Sequence, residues 1–570
     1  MYSFHNFLCS VTKDATNVTV TIFLKRKRST KPATKSIWLL QGGPGASSVG
    51  LEPIMASLNA MPALGGAVDV YTMDHRGTGR SSRLTCSAAQ VETSGSPSKG
   101  EITVDNFATC AQDISTKLGD NGDGSMLAAY STTSAATDLS KLVSLLDKGK
   151  ESYVYGVSYG TYLVERLMQL ANPQIKGYIL DGVVSNSGSK VNQKLSFADW
   201  DTNANDVGKQ YLSECAASPE CSRRFSGLSV LDVLGAANGN TSVPYCFTTV
   251  SNLQSVLGTT WRTPIAKVVR LFFGHLLTSP LRNYIPALLY RMKRCGKDDP
   301  SVLYNFMTNY RNLIEASTTP NQAGQYSSTM LYNLVALSEL WPTPTPSRQT
   351  LESMFNATFF GIDMSTIVPL YCLASGANSS KESGCDAEPT NPTKFQFRYP
   401  VDKYYDQPIE IPTNTNVLLL SGLLDAQTPP KYARYQLDSL VGDNKLLLEF
   451  PGAGHGVIAT ACGLSVFGDF VNRGSLQGLD ASCVAGLKTS FATIPQLDAI
   501  LMPTKNGDIY EGQYKQPEYV SSYYYPSNTW KYVGIAALCV FGVLGLYVCC
   551  VFRKKNQGTK QAATYVETQA

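Results

Sequence analysis

The sequence predicts an α/β fold, a mostly parallel sheet with helices on both faces. Short runs of β-branched and aromatic residues alternate with longer amphipathic runs along much of the chain, the pattern of strand–helix–strand units. SIWLLQ (36–41) is apolar without alternation, as expected of a strand covered on both sides. In YVYGVSYGTYL (153–163) a strand-forming run breaks at Ser158, with Gly156 two positions before it and Gly160 two after. That spacing suits a strand turning sharply into a helix, because glycine keeps Cβ atoms out of a close strand–helix crossing.

The elements follow in order. VTVTIFLKRKR (18–28) reads as an early strand, SIWLLQ as a buried one ending at GGPG, and VDVYTMD (68–74) as a third ending at HRGTGRSS. ATDLSKLVSLLDK (136–148) is an amphipathic helix, followed by strand 153–157 and helix 160–171, which Asn172-Pro173 closes. GYILDG (177–182) is strand-like, and the pattern resumes with strand 416–422, helix 430–441 and strand 445–450. Between 191 and 405 successive helical runs replace the alternation. The expected organisation is a core at 1–190, a mainly helical cap at 191–405 over the carboxyl ends of the strands, and core again at 406–505. A Tyr/Pro/Ser-rich stalk at 506–531 comes next.

Residues 532–552, YVGIAALCVFGVLGLYVCCVF, carry no charge, and at about 1.5 Å per residue a helix of this length spans a bilayer. Arg553, Lys554 and Lys555 follow at once, which places the tail 553–570 in the cytoplasm and the preceding chain outside. Sequons at Asn17, Asn240, Asn356 and Asn378 agree with that side. So do eleven cysteines before the span, which lack CxxC metal spacing and include the close pairs Cys86/Cys110, Cys215/Cys221, Cys372/Cys385 and Cys462/Cys483. Disulfides rather than zinc are expected. MYSFHNFLCSVTK, at the start, has no basic and apolar signal segment, and the odd cysteine count leaves Cys9 over; both are expected if the native N-terminus lies upstream. A net charge of +4 without a basic, aromatic-interleaved block excludes a nucleic-acid partner.

A serine hydroxyl needs a base before it can act as a nucleophile. Of four histidines, His5 is terminal and His275, in LFFGHLLTSPL, reads as a core residue of an apolar helix. His455, in FPGAGHGV, sits on a glycine-rich loop after a strand and is the candidate base. Asp425, in LLLSGLLDAQTPP, follows another strand and is the candidate acid that orients it. The backbone N–H groups of Tyr159, next after the serine, and Gly43, in QGGPG, are the candidate oxyanion donors.

GGPG, DHRGTGRSS with a later cysteine, GVSYGTYL, YILDGVV, SGLLDAQTPP and GAGHG, in that order, resemble the prolyl iminopeptidase and tripeptidyl aminopeptidase-like serine peptidases, the secreted tripeptidyl branch most. The resemblance covers roughly 36–190 and 415–490. It implies an α/β-hydrolase fold and a Ser158–His455–Asp425 triad that removes short N-terminal units from peptide substrates, with no metal or other cofactor. It also implies a structural disulfide at Cys462, while Asp74 and Arg76 read as structural supports near the site. Gln41 stands where the iminopeptidase branch has histidine, the region before Ser36 is short, and a membrane anchor is foreign to the secreted members. An aminopeptidase must also hold a free ammonium, and Glu339, beside Trp341 in the cap, is the candidate carboxylate. Two rivals share these residues: an esterase or lipase on the same triad, and a non-catalytic adhesion or receptor ectodomain.

Overall fold

The computed structural model describes residues 2–10, 19–87, 102–225, 229–238, 263–318, 326–376, 382–389 and 395–516. Eight strands form one sheet: β1 (Tyr2–Ser10), β2 (Thr19–Lys27), β3 (Lys35–Leu40), β4 (Val68–Asp74), β5 (Glu151–Val157), β6 (Ile175–Asp181), β7 (Asn416–Gly422) and β8 (Lys445–Phe450). Their order is β1-β2-β4-β3-β5-β6-β7-β8. From β4 through β8 neighbours run parallel, whereas β2 is antiparallel to both β1 and β4. The seven strands expected from sequence are present within a few residues. β1 is additional, and its pairing with β2 is what makes a strand of a run that carries little signal alone.

The parallel arrangement positions the site. Leu40 is level with Gly156, Val157 with Asp181, Asp181 with Leu420, and Gly422 with Phe450. The loops after β3, β5, β6, β7 and β8 therefore leave the sheet side by side at its carboxyl edge, where such sheets bind ligands. Ile37, Leu39, Val70, Tyr155, Ile179, Leu418 and Leu420 bury one face of the sheet against Met55, Leu58, Val466, Phe467 and Phe470 of two helices. Alternation turns Trp38, Val154, Tyr178 and Leu180, also buried, to the other face. That double burial explains why the strands read as apolar runs.

The chain divides into two compact units. The first, Met1–Asn203 with Gln325–Ala357 and Asp363–Lys488, contains the sheet. Helical character between 191 and 405 is present, but Gln325–Ala357 and the residues from Asp363 on cluster with the sheet rather than with a separate cap. Cys86–Cys110, Cys372–Cys385 and Cys462–Cys483 are disulfides of this unit, and Asn356 is exposed at the end of the helix Arg348–Asn356.

The second unit, Ala204–Gly324 with Thr358–Ile362 and the described residues from 489 on, contains the helices Ile265–Thr278, Ile285–Arg294, Asp299–Thr318 and Pro495–Leu501 and the Cys215–Cys221 disulfide. His275, expected in a core, is exposed. The expected stalk is not free chain from its start. The buried Arg291 donates to the carbonyls of Ile509 (2.6 Å) and Gly512 (3.0 Å) while its other arm meets Asp299 at 2.6 Å. A guanidinium out of water needs all these acceptors, so it ties residues 507–516 to the helices. The rest of the stalk, the apolar run 532–552 and the tail 553–570 lie outside the described residues, as do Asn17, Asn240 and Asn378. Among the described residues no helix is long and apolar enough to cross a membrane.

Candidate active site

The six candidate site residues, Ser158, Asp425, His455, Gly43, Tyr159 and Glu339, lie in the first unit. Ser158 joins β5 to the helix Tyr159–Gln169 with φ 59° and ψ −129°. That region costs a non-glycine residue about 1–3 kcal/mol, so surrounding structure must impose it. The Ser158 N–H donates to the Asp181 carbonyl (3.0 Å), and its own carbonyl accepts from the Thr161 N–H (2.8 Å) and hydroxyl (2.7 Å). A Cβ on Gly156 would lie 2.1 Å from the Gly160 carbonyl oxygen, and one on Gly160 would lie 2.8 Å from the Leu40 carbonyl oxygen at the end of β3, which is why this turn takes glycine at both places. On the other side, a Cβ on Gly42 would fall 2.7 Å from Ser158 Cβ, so the loop after β3 rests directly on the elbow.

That loop is held from several directions. Gln41, the departure from the iminopeptidase pattern, accepts the Gly42 N–H on its side-chain oxygen at 2.9 Å. Asp74 accepts from Ser47 Oγ (3.0 Å) and the Ser48 N–H (2.7 Å) through one carboxylate oxygen, and from the Arg80 N–H (3.0 Å) and Nε (2.8 Å) through the other. Arg76 pairs with buried Asp138 through two bonds of 2.7 Å. DHRGTGRSS thus braces the glycine loop and the helix Thr132–Leu146. Gly43, with φ 113°, and Tyr159 have N–H groups with no hydrogen-bond partner among the described residues. Tyr159 follows the candidate nucleophile directly and Gly43 follows Gly42, which packs against it; backbone donors of this kind are what a developing oxyanion requires.

Asp425 is fully buried just beyond the end of β7. One of its oxygens accepts the N–H groups of Gln427 (2.9 Å) and Thr428 (3.0 Å). The other accepts the Thr428 hydroxyl (2.7 Å) and is 2.8 Å from His455 Nδ1. Burial alone would raise its pKa, but the His455 charge and these donors outweigh burial and hold the carboxyl below its usual range. For His455, burial works against the imidazolium, yet the Asp425 charge prevails and raises the ring above the ordinary histidine value. With the Nδ1 proton directed at a carboxylate, Nε2 keeps its lone pair. No hydrogen bond joins it to Ser158 Oγ here, a contact that commonly tightens only around substrate.

Glu339 lies on the turn Ala336–Leu340 and is 3% exposed. Its oxygens accept from Tyr162 OH (2.8 Å), Tyr399 OH (2.5 Å) and the Thr132 N–H (3.2 Å), with an Arg166 nitrogen at 3.5 Å. Tyr162 and Arg166 belong to the helix that begins at the elbow, and Thr132 Oγ1 bonds Tyr159 OH at 3.0 Å. The carboxylate is engaged on both oxygens and braces that helix; it is not presented to a ligand. Two contributors were missed from sequence, Thr428 and Asp181. TPP after Asp425 marks a turn, but only the fold brings that threonine to both acid and base.

The profile of a family described as alpha/beta hydrolase fold matches residues 35–214, and that of a family described as TAP-like protein matches residues 375–483. No curated protein sequence matches the chain significantly. Among solved structures, a proline iminopeptidase from Mycobacterium smegmatis is similar at 14% identity and a TM-score of 0.29, covering 83% of this chain and 99% of its own. An esterase from Exiguobacterium antarcticum matches at 10% identity and 0.30, over 80% and 95%. A carboxyl esterase from Bacillus coagulans matches at 11% and 0.29, over 85% and 99%. Such low TM-scores do not bear on the choice between peptide and ester. The match at 35–214 agrees with the strand order and the elbow: the chain is an α/β-hydrolase in fold, and its residues 375–483 are similar to TAP-like proteins.

Proposed function

We propose that this protein is a serine exopeptidase that removes short N-terminal units, from one to three residues, from peptides. The observation that carries the hydrolase reading is the 2.8 Å contact of His455 Nδ1 with buried Asp425, on loops adjoining a serine held at positive φ. In this reading Ser158 Oγ attacks the scissile carbonyl while His455 Nε2 takes its proton. Asp425 keeps the ring oriented and stabilises the imidazolium. The N–H groups of Gly43 and Tyr159 receive the oxyanion, His455 then protonates the leaving amine, and water releases the acyl unit by the same steps in reverse.

The peptide preference rests on the TAP-like match at 375–483 and on the motif set quoted above. A second reading, an esterase on the same triad, is favoured by one observation: Glu339, the expected ammonium acceptor, is fully engaged inside the protein. The test compares the full-length chain with its Ser158→Ala variant on fluorogenic substrates of increasing length, each with a free or acetylated N-terminus. Turnover of free-amine substrates alone, abolished by the substitution, supports the exopeptidase. Turnover of simple acyl esters with none of peptides assigns the esterase. We further place the catalytic unit outside a membrane anchored by 532–552, and resistance of the chain to extraction by alkaline carbonate, with release by detergent, tests that placement.

A further inference from the structure

Asp181 closes β6 and makes none of the contacts expected of a reacting group. Nonetheless it touches both loops that carry the proposed chemistry. Its backbone oxygen accepts the Ser158 N–H at 3.0 Å. One carboxylate oxygen accepts the Val457 N–H at 2.8 Å, and the other accepts the Ile458 N–H at 2.9 Å and the Tyr155 hydroxyl at 2.8 Å. Val457 and Ile458 open the short turn Val457–Ala459 that follows His455. The next residue, Gly182 at φ 65°, lies so close to the imidazole that a Cβ there would stand 3.0 Å from its Cε1 and Nδ1. Two consecutive residues thus meet the nucleophile's backbone, the base's ring and the turn beyond the base.

We propose that Asp181 is a positioning residue whose carboxylate fixes the His455 loop in register with the Ser158 elbow; the proposal rests on the hydrolase reading above. A carboxylate suits the place because three donors reach it from two directions and both of its oxygens accept. An amide has one acceptor, so its NH2 must oppose either the Val457 N–H or the Ile458 and Tyr155 donors. The loop would then shift, and a displacement near 1 Å at a reacting group can cost on the order of 10²-fold. The ionisable groups that face Asp181 are Tyr155 from β5 and His455 from the loop after β8. Burial, against those donors and the His455 charge, pushes the carboxyl up to about 6. Mild acid therefore protonates the clamp as well as the base.

The test reads Ser158 reactivity without choosing a substrate. The full-length chain, Ser158→Ala, Asp181→Asn and Tyr155→Phe are treated with a fluorophosphonate probe across roughly pH 5 to 9, beside thermal melts of each. Wild type is labelled and Ser158→Ala is not. Folded Asp181→Asn is labelled roughly 10- to 100-fold more slowly, and its rate falls in acid with one proton where wild type falls with two. Tyr155→Phe, which loses one donor to the charged carboxylate, shows its acid limb at higher pH. A folded Asp181→Asn within about threefold of wild type, with the same acid limb, overturns the proposal. So does an unmoved limb in Tyr155→Phe if Asp181→Asn does not fold. Wild type that resists the probe removes the hydrolase reading and this inference with it, an outcome distinct from the other two.

Discussion

Replacing Asp425 with asparagine changes one oxygen to an NH2 group and leaves the side chain's shape intact. Two of the four donors that converge on the carboxylate, the N–H groups of Gln427 and Thr428, belong to the backbone and cannot reverse. The asparagine oxygen must therefore face them, which turns its NH2 toward the Thr428 hydroxyl and His455 Nδ1. The hydroxyl can rotate to offer a lone pair. The imidazole can accept only by carrying its proton on Nε2, and that tautomer cannot deprotonate a serine. The expected loss is about 10⁴-fold in turnover, or about 5.5 kcal/mol in the barrier. Binding contacts are untouched, so KM should change little. The assay is the turnover of the best fluorogenic substrate, or the fluorophosphonate labelling rate, beside a thermal melt showing the variant folded. A folded Asp425→Asn that keeps more than about a tenth of wild-type activity would refute the argument, because His455 would then owe its tautomer to another group.

Arg76→Met should destabilise the protein by about 3–5 kcal/mol, because it strands the buried Asp138 carboxylate; a denaturant titration read beside an Arg76→Met/Asp138→Leu double variant should recover much of the loss. The raised His455 pKa places the acid limb of activity above the ordinary histidine value of 6.5, since the base form is lost as pH falls through it. The stabilising imidazolium–carboxylate contact runs the opposite way for His455: it is fully present below 6.5 and fades as pH rises through the higher folded value, so apparent stability of the unliganded protein should decline across that window. Glu339→Gln should lower the melting temperature while leaving the ratio of free-amine to acetylated turnover unchanged; a collapsed ratio at an unchanged melting temperature would restore Glu339 as the ammonium acceptor.

Much of this architecture was legible before any coordinates. The strands of the parallel sheet are buried on both faces, so each is an apolar run recognisable on its own. The elbow was legible because glycine at 156 answers a local requirement, the Gly160 carbonyl oxygen being too close for a Cβ, whereas the crowding at 160 comes from Leu40 of β3. Asp425 and His455 could be picked because each stands on a loop just after a strand, His455 in a glycine-rich one. Their approach to 2.8 Å was then a consequence of β7 and β8 lying parallel and adjacent.

Other features were not legible, and they have a common cause. That the residues from 489 on cluster with the helical unit depends on contacts remote along the chain, such as Arg291 with Ile509 more than two hundred positions later. Glu339 looked available because its partners, Thr132, Tyr162 and Tyr399, come from three distant segments. Asp181 was merely the end of a strand until its carboxylate met Val457 and Ile458. By itself the sequence determined seven of the eight strands, their order and the candidate residues for acyl-transfer chemistry, because periodicity, turns and side-chain chemistry are local properties. Only the tertiary structure decided which carboxylates are free and which are spoken for, because burial and hydrogen-bond partnership are set by segments remote along the chain.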